Sequence, residues 1–204
     1  SATPGFRMQT RSKSHPHKLG NSMKQRYFST FQLILLALFS ALIIVAKIAL
    51  RTPLQLSGHS GIFWMAIIIV GARVVPKLGA SSIIGVTSGL LASFMGLGDF
   101  GALNTFISYA IVGVVSDLML WILRGNTENV VVAIIVGIFG HLGKFLTKWL
   151  FGIVTGAPIG FVALGLLRAF ISYVVFGAIG GILGWLTLKA LKRAGFFAYM
   201  AEKR

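Results

Sequence analysis

The chain has 204 residues, of which 56% are hydrophobic and 11% are charged, whereas a soluble domain carries about 25% charged residues. A mean hydropathy of +0.86 excludes a soluble, strongly basic nucleic-acid binder, and the apolar excess excludes a disordered chain. The lack of cysteine excludes a disulfide-linked scaffold. These properties predict an integral membrane protein.

Six long apolar segments follow one another along the chain, and turn-forming or charged residues separate them. They run approximately over 30–50, 61–72, 78–97, 103–123, 129–154 and 161–191, and the short second segment is able to extend into 54–60. A spanning helix needs about 20 apolar residues, and a barrel strand only about 10 of alternating polarity. The segments therefore predict an all-α integral membrane protein, a bundle of six transmembrane helices.

The charge distribution predicts the orientation of this bundle. Nineteen Lys and Arg residues stand against four acidic residues, which gives a net charge of +15. With the amino terminus inside, the inner connections hold Arg73, Lys77 and Arg124, while the outer connections after the third and fifth segments hold neither Lys nor Arg. This asymmetry follows the positive-inside rule and predicts that both termini are cytoplasmic.

Three regions follow from the charge and hydropathy pattern. Residues 1–29 form a basic cytoplasmic tail, residues 30–193 form the six-helix membrane domain, and residues 194–204 form a second basic tail. We expect the tails to contact the headgroups of the lipid membrane. Nucleic acid is not an expected partner, because aromatic residues are not interleaved with the basic ones and no nucleic-acid-binding module follows.

Small residues at four-residue spacing predict close contacts between helices. Such spacing places them on one helix face and lets two backbones approach each other. We expect the glycines to pack inside the bundle. The pairs are Gly85 with Gly89, Gly177 with Gly181, Gly180 with Gly184, and Ala37 with Ala41 in the first segment.

Basic residues inside the predicted spans are the sharper signal, because a charge there costs about 2.5–3.5 kcal/mol on insertion scales. At about 1.5 Å per residue they lie in the outer third of a membrane about 30 Å thick. They are Lys47, Lys144, Lys148 and Arg168, and Arg51 lies just above them.

A cationic face is predicted on the fifth segment. His141, Lys144 and Lys148 share one face because they are spaced i, i+3, i+7, and Arg168 on the following helix is able to meet that face. These two segments contain no acid, and Asp99 is the only acid on the outer side. Several cations around one cavity favour an anionic ligand, a carboxylate or a phosphate.

The alternative is that some of these side chains reach water at the outer interface by snorkelling. Lys47, Arg51 and Lys148 are close enough to that interface to do so, and for Lys148 the two interpretations stay open. Lys144 and Arg168 lie deeper, where the binding-site interpretation is favoured.

The first outer connection offers further candidate ligand contacts. Gln55 and His59 carry hydrogen-bonding groups beside flexible glycines, and Trp64 follows in the second segment. Asn104, near the start of the fourth segment, is a similar candidate. The alternative, a solvated loop with an interfacial tryptophan, stays open.

Motifs for catalysis are missing from the sequence. It has no cysteine, no zinc-protease motif, no nucleophile elbow and no phosphate-binding loop. Four scattered histidines predict no metal site, and the surrounding cations disfavour His59 and His141 as metal ligands. We therefore expect a protein that is not an enzyme, holds no cofactor and has no ATPase of its own.

The residues described above resemble the substrate-binding S components of energy-coupling factor transporters, which are vitamin-uptake proteins of prokaryotes. The resemblance covers residues 28–193. It consists of the chain length, six helices, both ends inside, the missing nucleotide site and the Ala37-x-x-x-Ala41 pair on the first helix.

The resemblance implies a function as well as a fold. In the family, the alanine pair packs against a transmembrane coupling subunit driven by two ATPase subunits, so ATP is used by the partners. The cavity lies near the outer face, under the loop between helices one and two, and helices four to six supply most contacts. A multi-pass protein of the prokaryotic plasma membrane that captures a small, anionic, vitamin-like nutrient is therefore expected.

The main alternative is a self-contained secondary transporter or channel for a small solute. Such a protein needs a coupling carboxylate deep in the bundle and often contains inverted repeats. No clear repeat is visible, and Asp117, near the inner end of the fourth segment, is expected to be a structural group neutralised by Lys77 or Arg124. A membrane enzyme and a non-transporting scaffold are further alternatives.

Overall fold

The computed structural model describes residues 27–49, 59–98, 101–156 and 159–202. Within these ranges the chain forms seven α-helices and no β-strand, so the all-α prediction is confirmed. The helices are α1 (Thr30–Ala49), α2 (Gly61–Val74), α3 (Ala80–Phe94), α4 (Gly101–Ile122), α5 (Val130–Val154), α6 (Ile159–Arg193) and α7 (Phe196–Glu202).

Four of the described helices are long and apolar enough to cross a membrane: α1, α4, α5 and the Gly165–Arg193 part of α6. The protein is therefore membrane-associated. The other two predicted spans are short helices: α2 has 14 residues and runs two residues beyond the expected 61–72, and α3 has 15 residues and is shorter than the expected 78–97. At about 1.5 Å per residue these helices are about 21 and 22 Å long.

The short α2 lies in the middle of the bundle. It packs against α1, α3, α5 and α6, and most of its side chains are buried. Around it, α3 packs on α4, α4 on α5, and α5 on α6. A helix that is enclosed by other helices contacts protein instead of lipid. Its length therefore does not have to match the hydrocarbon thickness.

Helix α1 lies at the edge of the bundle, packed mainly on α2 and α3. The Ser40 hydroxyl on its inner face donates to the carbonyl oxygen of Leu36 at 2.9 Å and to that of Ile84 in α3 at 3.3 Å. Its outer face exposes large apolar side chains. Exposed apolar surface of this extent is typical of a contact with lipid or with another protein.

The paired glycines of α6 lie at two different helix contacts, as their spacing predicts. Gly177 and Gly181 approach α5, and a Cβ atom on Gly177 would lie 2.7 Å from the carbonyl oxygen of Gly137. Gly180 and Gly184 approach α2 instead. Because these neighbours are mostly backbone atoms, which cannot move aside, glycine is required for the observed distances.

The contact between α3 and α4 depends on glycine in the same way. A Cβ atom on Gly85 would lie 2.6 Å from the carbonyl oxygen of Tyr109 and 2.9 Å from the Cα atom of Gly113. A Cβ atom on Gly89 would lie 2.9 Å from the carbonyl oxygen of Phe106. Both glycines of the predicted pair therefore lie in the helix contact.

The first turn of helix α3 donates hydrogen bonds to an acid on α4. The Asp117 carboxylate accepts from the backbone N–H of Ser81 at 3.1 Å and of Ser82 at 2.7 Å, and from the Ser82 hydroxyl at 2.6 Å. A carboxylate is favourable there because the helix dipole is positive at its amino end. Asp117 is structural, as expected, but its partners are these groups instead of Lys77 or Arg124.

Helix α4 ends in a Schellman motif with an arginine in the position that glycine usually occupies. The backbone N–H of Gly125 donates to the carbonyl oxygen of Leu120 at 2.6 Å, and that of Arg124 donates to Trp121 at 3.2 Å. Arg124 has φ +57°, the only positive φ of a non-glycine residue in the described ranges. Such a backbone conformation costs on the order of 1 kcal/mol.

The segment 194–204 is more than the plain tail that we expected. Gly195 has φ +73° and separates α6 from α7. Phe196 and Phe197 then pack against the core, and the Arg73 guanidinium lies 5.3 Å from the ring centroid of Phe197. The short aromatic run holds this end of the chain against the bundle.

Glu128, between α4 and α5, connects these helices to α2 and α6. Its carboxylate contacts Arg73 at 2.7 Å and Lys192 at 2.8 Å, and its backbone carbonyl accepts from Trp185 Nε1 at 2.9 Å. The hydrogen bond from Arg73, followed by that from Lys192, lowers the pKa of Glu128 to about 2.

We expect Glu128→Gln to remove a pH-dependent contribution to stability. The folded pKa of about 2 lies below the ordinary value of 4.5, so the contribution is fully present above pH 4.5 and is lost as pH falls through the folded pKa. The thermal midpoint in detergent should fall by a few degrees at most at about pH 7, because exposed ion pairs contribute little. The difference should vanish near pH 2; an equal difference at both pH values would contradict this role.

We expect Gly177→Ala to destabilise the bundle by about 1–3 kcal/mol, because the added methyl group meets backbone atoms of α5. The matched control is Gly165→Ala in the same helix, where a Cβ atom would have no neighbour within 4 Å. Thermal unfolding in detergent should show a lowered midpoint for the first variant alone. Equal midpoints would show that α5 and α6 are not held at this distance.

Candidate functional site

Helix α5 carries two ionisable side chains deep in the bundle. His141 is 1% exposed and Lys144 is 8% exposed. Gly140 and Gly143 lie beside them, and the missing side chains leave room for Met65 of α2 and Ile111 of α4. The sequence of α5 therefore brings its two polar groups close to α2 and α4.

Aromatic rings from two helices surround the Lys144 ammonium. Its Nζ atom lies 4.7 Å from the ring centroid of Trp64 in α2 and 4.6 Å from that of Tyr109 in α4. Lys47 of α1 also approaches Tyr109, with Nζ 5.3 Å from the centroid. Cation–π contacts of this kind contribute about 2 kcal/mol or more when the cation is desolvated, which offsets part of the cost of burial.

His141 extends this cluster toward α6. Its ring meets Trp64 edge-on, with centroids 5.3 Å apart, and lies 4.4 Å from the centroid of Tyr173. His141 Nδ1 and Trp64 Nε1 are buried and have no hydrogen-bond partner in the part of the chain that the structure describes. A buried polar atom without a partner costs about 1–3 kcal/mol, so a polar ligand atom would gain from binding here.

A small cavity of about 20 Å³ lies next to the cluster. Its lining combines ammonium, amide and hydroxyl groups, and Ser108 donates to the side-chain oxygen of Asn104 at 3.3 Å. A cavity of this volume holds about one water molecule, so a larger ligand requires the lining side chains to move. The lining residues are Lys47, Gly98, Asn104, Thr105, Ser108, Tyr109, Lys144 and Lys148.

The structure brings most of the predicted site residues to one place. Four of them line the cavity, namely Lys47, Asn104, Lys144 and Lys148. Trp64 and His141 contact the same cluster. Lys47 is half-buried, and its ammonium donates to the carbonyl oxygen of Leu97, just beyond the end of α3.

Other predicted residues lie apart from the cavity or outside the described ranges. Arg168 is exposed on α6 and does not line the cavity. It lies nine residues before Gly177, which is about half a turn away from the face that meets α5. His59 is half-buried just before α2, while Arg51 and Gln55 lie outside the described residues.

Tyr109 and Tyr173 are site residues that the sequence reasoning missed. Neither tyrosine belongs to a sequence motif, and Tyr109 follows Ser108 by one residue and Asn104 by five. Asn104 and Ser108, four residues apart, lie on one helix face, and Tyr109 lies next to Ser108 in the chain. This polar face of α4 was therefore visible in the sequence as a signal.

The alanine pair of α1 lies away from the cluster. Ala37 and Ala41 are both exposed. Large apolar neighbours such as Leu38 and Leu42 are exposed beside them. The outer face of α1 is therefore an apolar surface with small residues in its middle.

The chain matches no protein-family model and no curated protein. No solved structure matches its fold. The chemistry of the cluster formed by Lys47, Lys144, Trp64, Tyr109 and His141 therefore carries the functional conclusion.

Proposed function

We propose that the chain is the substrate-binding S component of an energy-coupling factor importer, which captures a small anionic nutrient at the outer side of a prokaryotic plasma membrane. The observation that carries this proposal is the convergence of Lys47, Lys144 and Lys148 on one cavity, where the first two also contact the ring of Tyr109. In this arrangement α1 to α6 all span the membrane, and both termini are cytoplasmic.

The charge of the cluster favours an anion as cargo. Ionisable residues inside a membrane domain are rare and mark ligand or ion sites by default. Three ammonium groups gain more from a carboxylate or phosphate than from a neutral solute, since a hydrogen bond to a charged group contributes about 1.5–3 kcal/mol. The rings of Trp64 and Tyr109 offer apolar faces to the remainder of the molecule.

Binding must also open the cluster. Small-molecule sites measure about 300–1,000 Å³, and the cavity beside Lys144 measures about 20 Å³. Withdrawal of the Lys144 ammonium would uncover the Trp64 ring, leave Lys47 as the remaining ammonium at Tyr109, and enlarge the cavity. The same movement would place the ammonium beside an entering anion, so opening and charge recognition use one side chain.

The position of the cluster along the bundle supports capture from outside. Lys144 lies 14 residues beyond Val130, the first residue of α5, which is about 21 Å along the helix. The opposite end of the bundle carries the basic residues Arg73, Lys77 and Arg124. By the positive-inside rule that basic end is cytoplasmic, so the cluster lies toward the outer face.

The outer face of α1 is the surface that would dock on the coupling subunit. Ala37 and Ala41 are exposed there, and small residues let another helix approach closely. The chain would bind no nucleotide itself, because ATP would be hydrolysed by the two ATPase subunits that act through the coupling subunit. The loaded S component would then expose its cargo to the cytoplasm.

We expect Lys144→Met to weaken cargo binding by about tenfold or more, because a charge-assisted contact is lost while the side-chain volume is nearly kept. The matched control is Lys189→Met, since the Lys189 ammonium also lies on an indole, 4.9 Å from the ring centroid of Trp185, but outside the cluster. Native mass spectrometry identifies the copurified acidic metabolite, and calorimetry then measures its affinity. Equal affinities of wild type and Lys144→Met would refute the anion site.

We expect Ala41→Trp to abolish uptake and to leave cargo affinity unchanged, because the bulky ring keeps the coupling subunit at a distance. Leu186→Trp is the control, since Leu186 is an exposed apolar residue of α6. Uptake is measured in cells that supply the partner subunits. Uptake that persists without ATP and follows a proton or sodium gradient would establish a secondary transporter instead.

A further inference from the structure

A second and larger cavity lies at the basic end of the bundle. It has a volume of about 290 Å³ and lies between the end of α2, the start of α3 and the end of α4. Its charged and polar lining consists of Arg73, Lys77, Arg124, Asp117 and Thr127, and Trp121 is part of its apolar lining. None of these residues belongs to the cluster around Lys144.

Cations outnumber acids in this lining. Asp117 already accepts three hydrogen bonds from Ser81 and Ser82. Arg73 pairs with Glu128 outside the cavity, and Lys77 donates to the carbonyl oxygen of Tyr27. Arg124 is exposed and forms part of the cavity lining. The lining is therefore complementary to an anion.

A buried hydroxyl group in the lining points to the same ligand chemistry. Thr127 is 2% exposed, and its Oγ1 atom has no hydrogen-bond partner among the described residues. A guanidinium, an ammonium and a hydroxyl group together provide the donors that phosphate oxygens accept from. The lining thus combines positive charge with a buried hydroxyl group that lacks a partner among the described residues.

The backbone of Arg124 adds a second reason to regard the lining as built for binding. Glycine would adopt φ +57° without strain, and glycine is the usual residue at this point of a Schellman motif. The chain carries arginine there, which makes the backbone conformation less favourable and places a guanidinium in the cavity lining. Strained positions of this kind cluster at ligand contacts.

An apolar stripe leads away from the cavity along α4. Its residues are exposed and spaced i, i+4, i+7 and i+8, so they share one face of the helix. They are Val114, Leu118, Trp121 and Ile122. Trp121 is 66% exposed and belongs both to the stripe and to the cavity lining. An exposed tryptophan at the end of a spanning helix is typical of an anchor at the membrane interface.

From this combination we infer that the cavity binds the phosphate group of an anionic phospholipid, whose acyl chain lies along the exposed face of α4. The basic lining recognises the headgroup, as basic pockets at the cytoplasmic ends of transmembrane helices do, and the stripe covers the chain. The lipid site lies at the end of the bundle opposite the proposed nutrient site. The lipid inference and the proposed function can therefore fail independently of each other.

The test is native mass spectrometry of the detergent-solubilised chain with added phosphatidylglycerol, and with phosphatidylcholine for comparison. We expect one retained phosphatidylglycerol per chain and about fivefold weaker retention by Arg124→Gln. The matched control is Arg193→Gln, which removes the same charge from an exposed position at the same end, outside the cavity. Arg193→Gln should retain the lipid as the wild type does.

A second variant separates loss of binding from loss of folding. Arg124→Gly suits the local backbone, so it should unfold at the same temperature as the wild type or higher while losing the lipid. Unchanged retention by both Arg124 variants, equal losses in Arg193→Gln, or equal retention of phosphatidylcholine would overturn the inference. Glycerol phosphate that displaces the lipid at equal concentration would assign the site to a soluble phosphate compound and overturn the lipid assignment.

Discussion

A buried ammonium group constrains this protein more than any other feature, because a charge among apolar helices costs several kcal/mol unless other groups stabilise it. Lys144 of α5 lies between an indole from α2 and a phenol ring from α4, each within 5 Å. Stabilising this one charge therefore fixes the relative positions of three helices. In the proposed function the same geometry serves an anionic ligand, because moving Lys144 withdraws one ammonium from both Trp64 and Tyr109.

Glycine makes these positions possible. The backbones of α5 and α6 meet at Gly137 and Gly177, and those of α3 and α4 meet at Gly85 and Gly113. Close backbone contacts hold the helices at fixed distances without relying on interdigitated side chains. The interior volume is then available for the rings and polar groups of the cluster, whose residues belong to rigid helices. The short α2 is stable in the centre because other helices surround it.

Helix positions were predictable from the sequence to the extent that local signals determine them. The fifth segment, expected over 129–154, is the helix Val130–Val154, because the Asn129 side chain accepts from the N–H of Val131 at 2.9 Å and starts the helix there. The lengths of α2 and α3 depend on neighbours that hydropathy does not reveal. Helix α7 was missed because basic residues surround its aromatic run, and its docking on Arg73 is a tertiary contact.

The site was predictable as a helix face, since the spacing of His141, Lys144 and Lys148 alone places them together. The face presented by the next helix was not predictable in this way: Tyr173 contacts His141, whereas Arg168 is exposed and does not line the cavity. The rotation of α6 is set by Gly177, which must meet α5. Tyr173 lies four residues before Gly177 and shares its face, whereas Arg168 lies nine residues before it and faces away. In a bundle held by glycine contacts, the small residues therefore determine which polar side chains reach the interior.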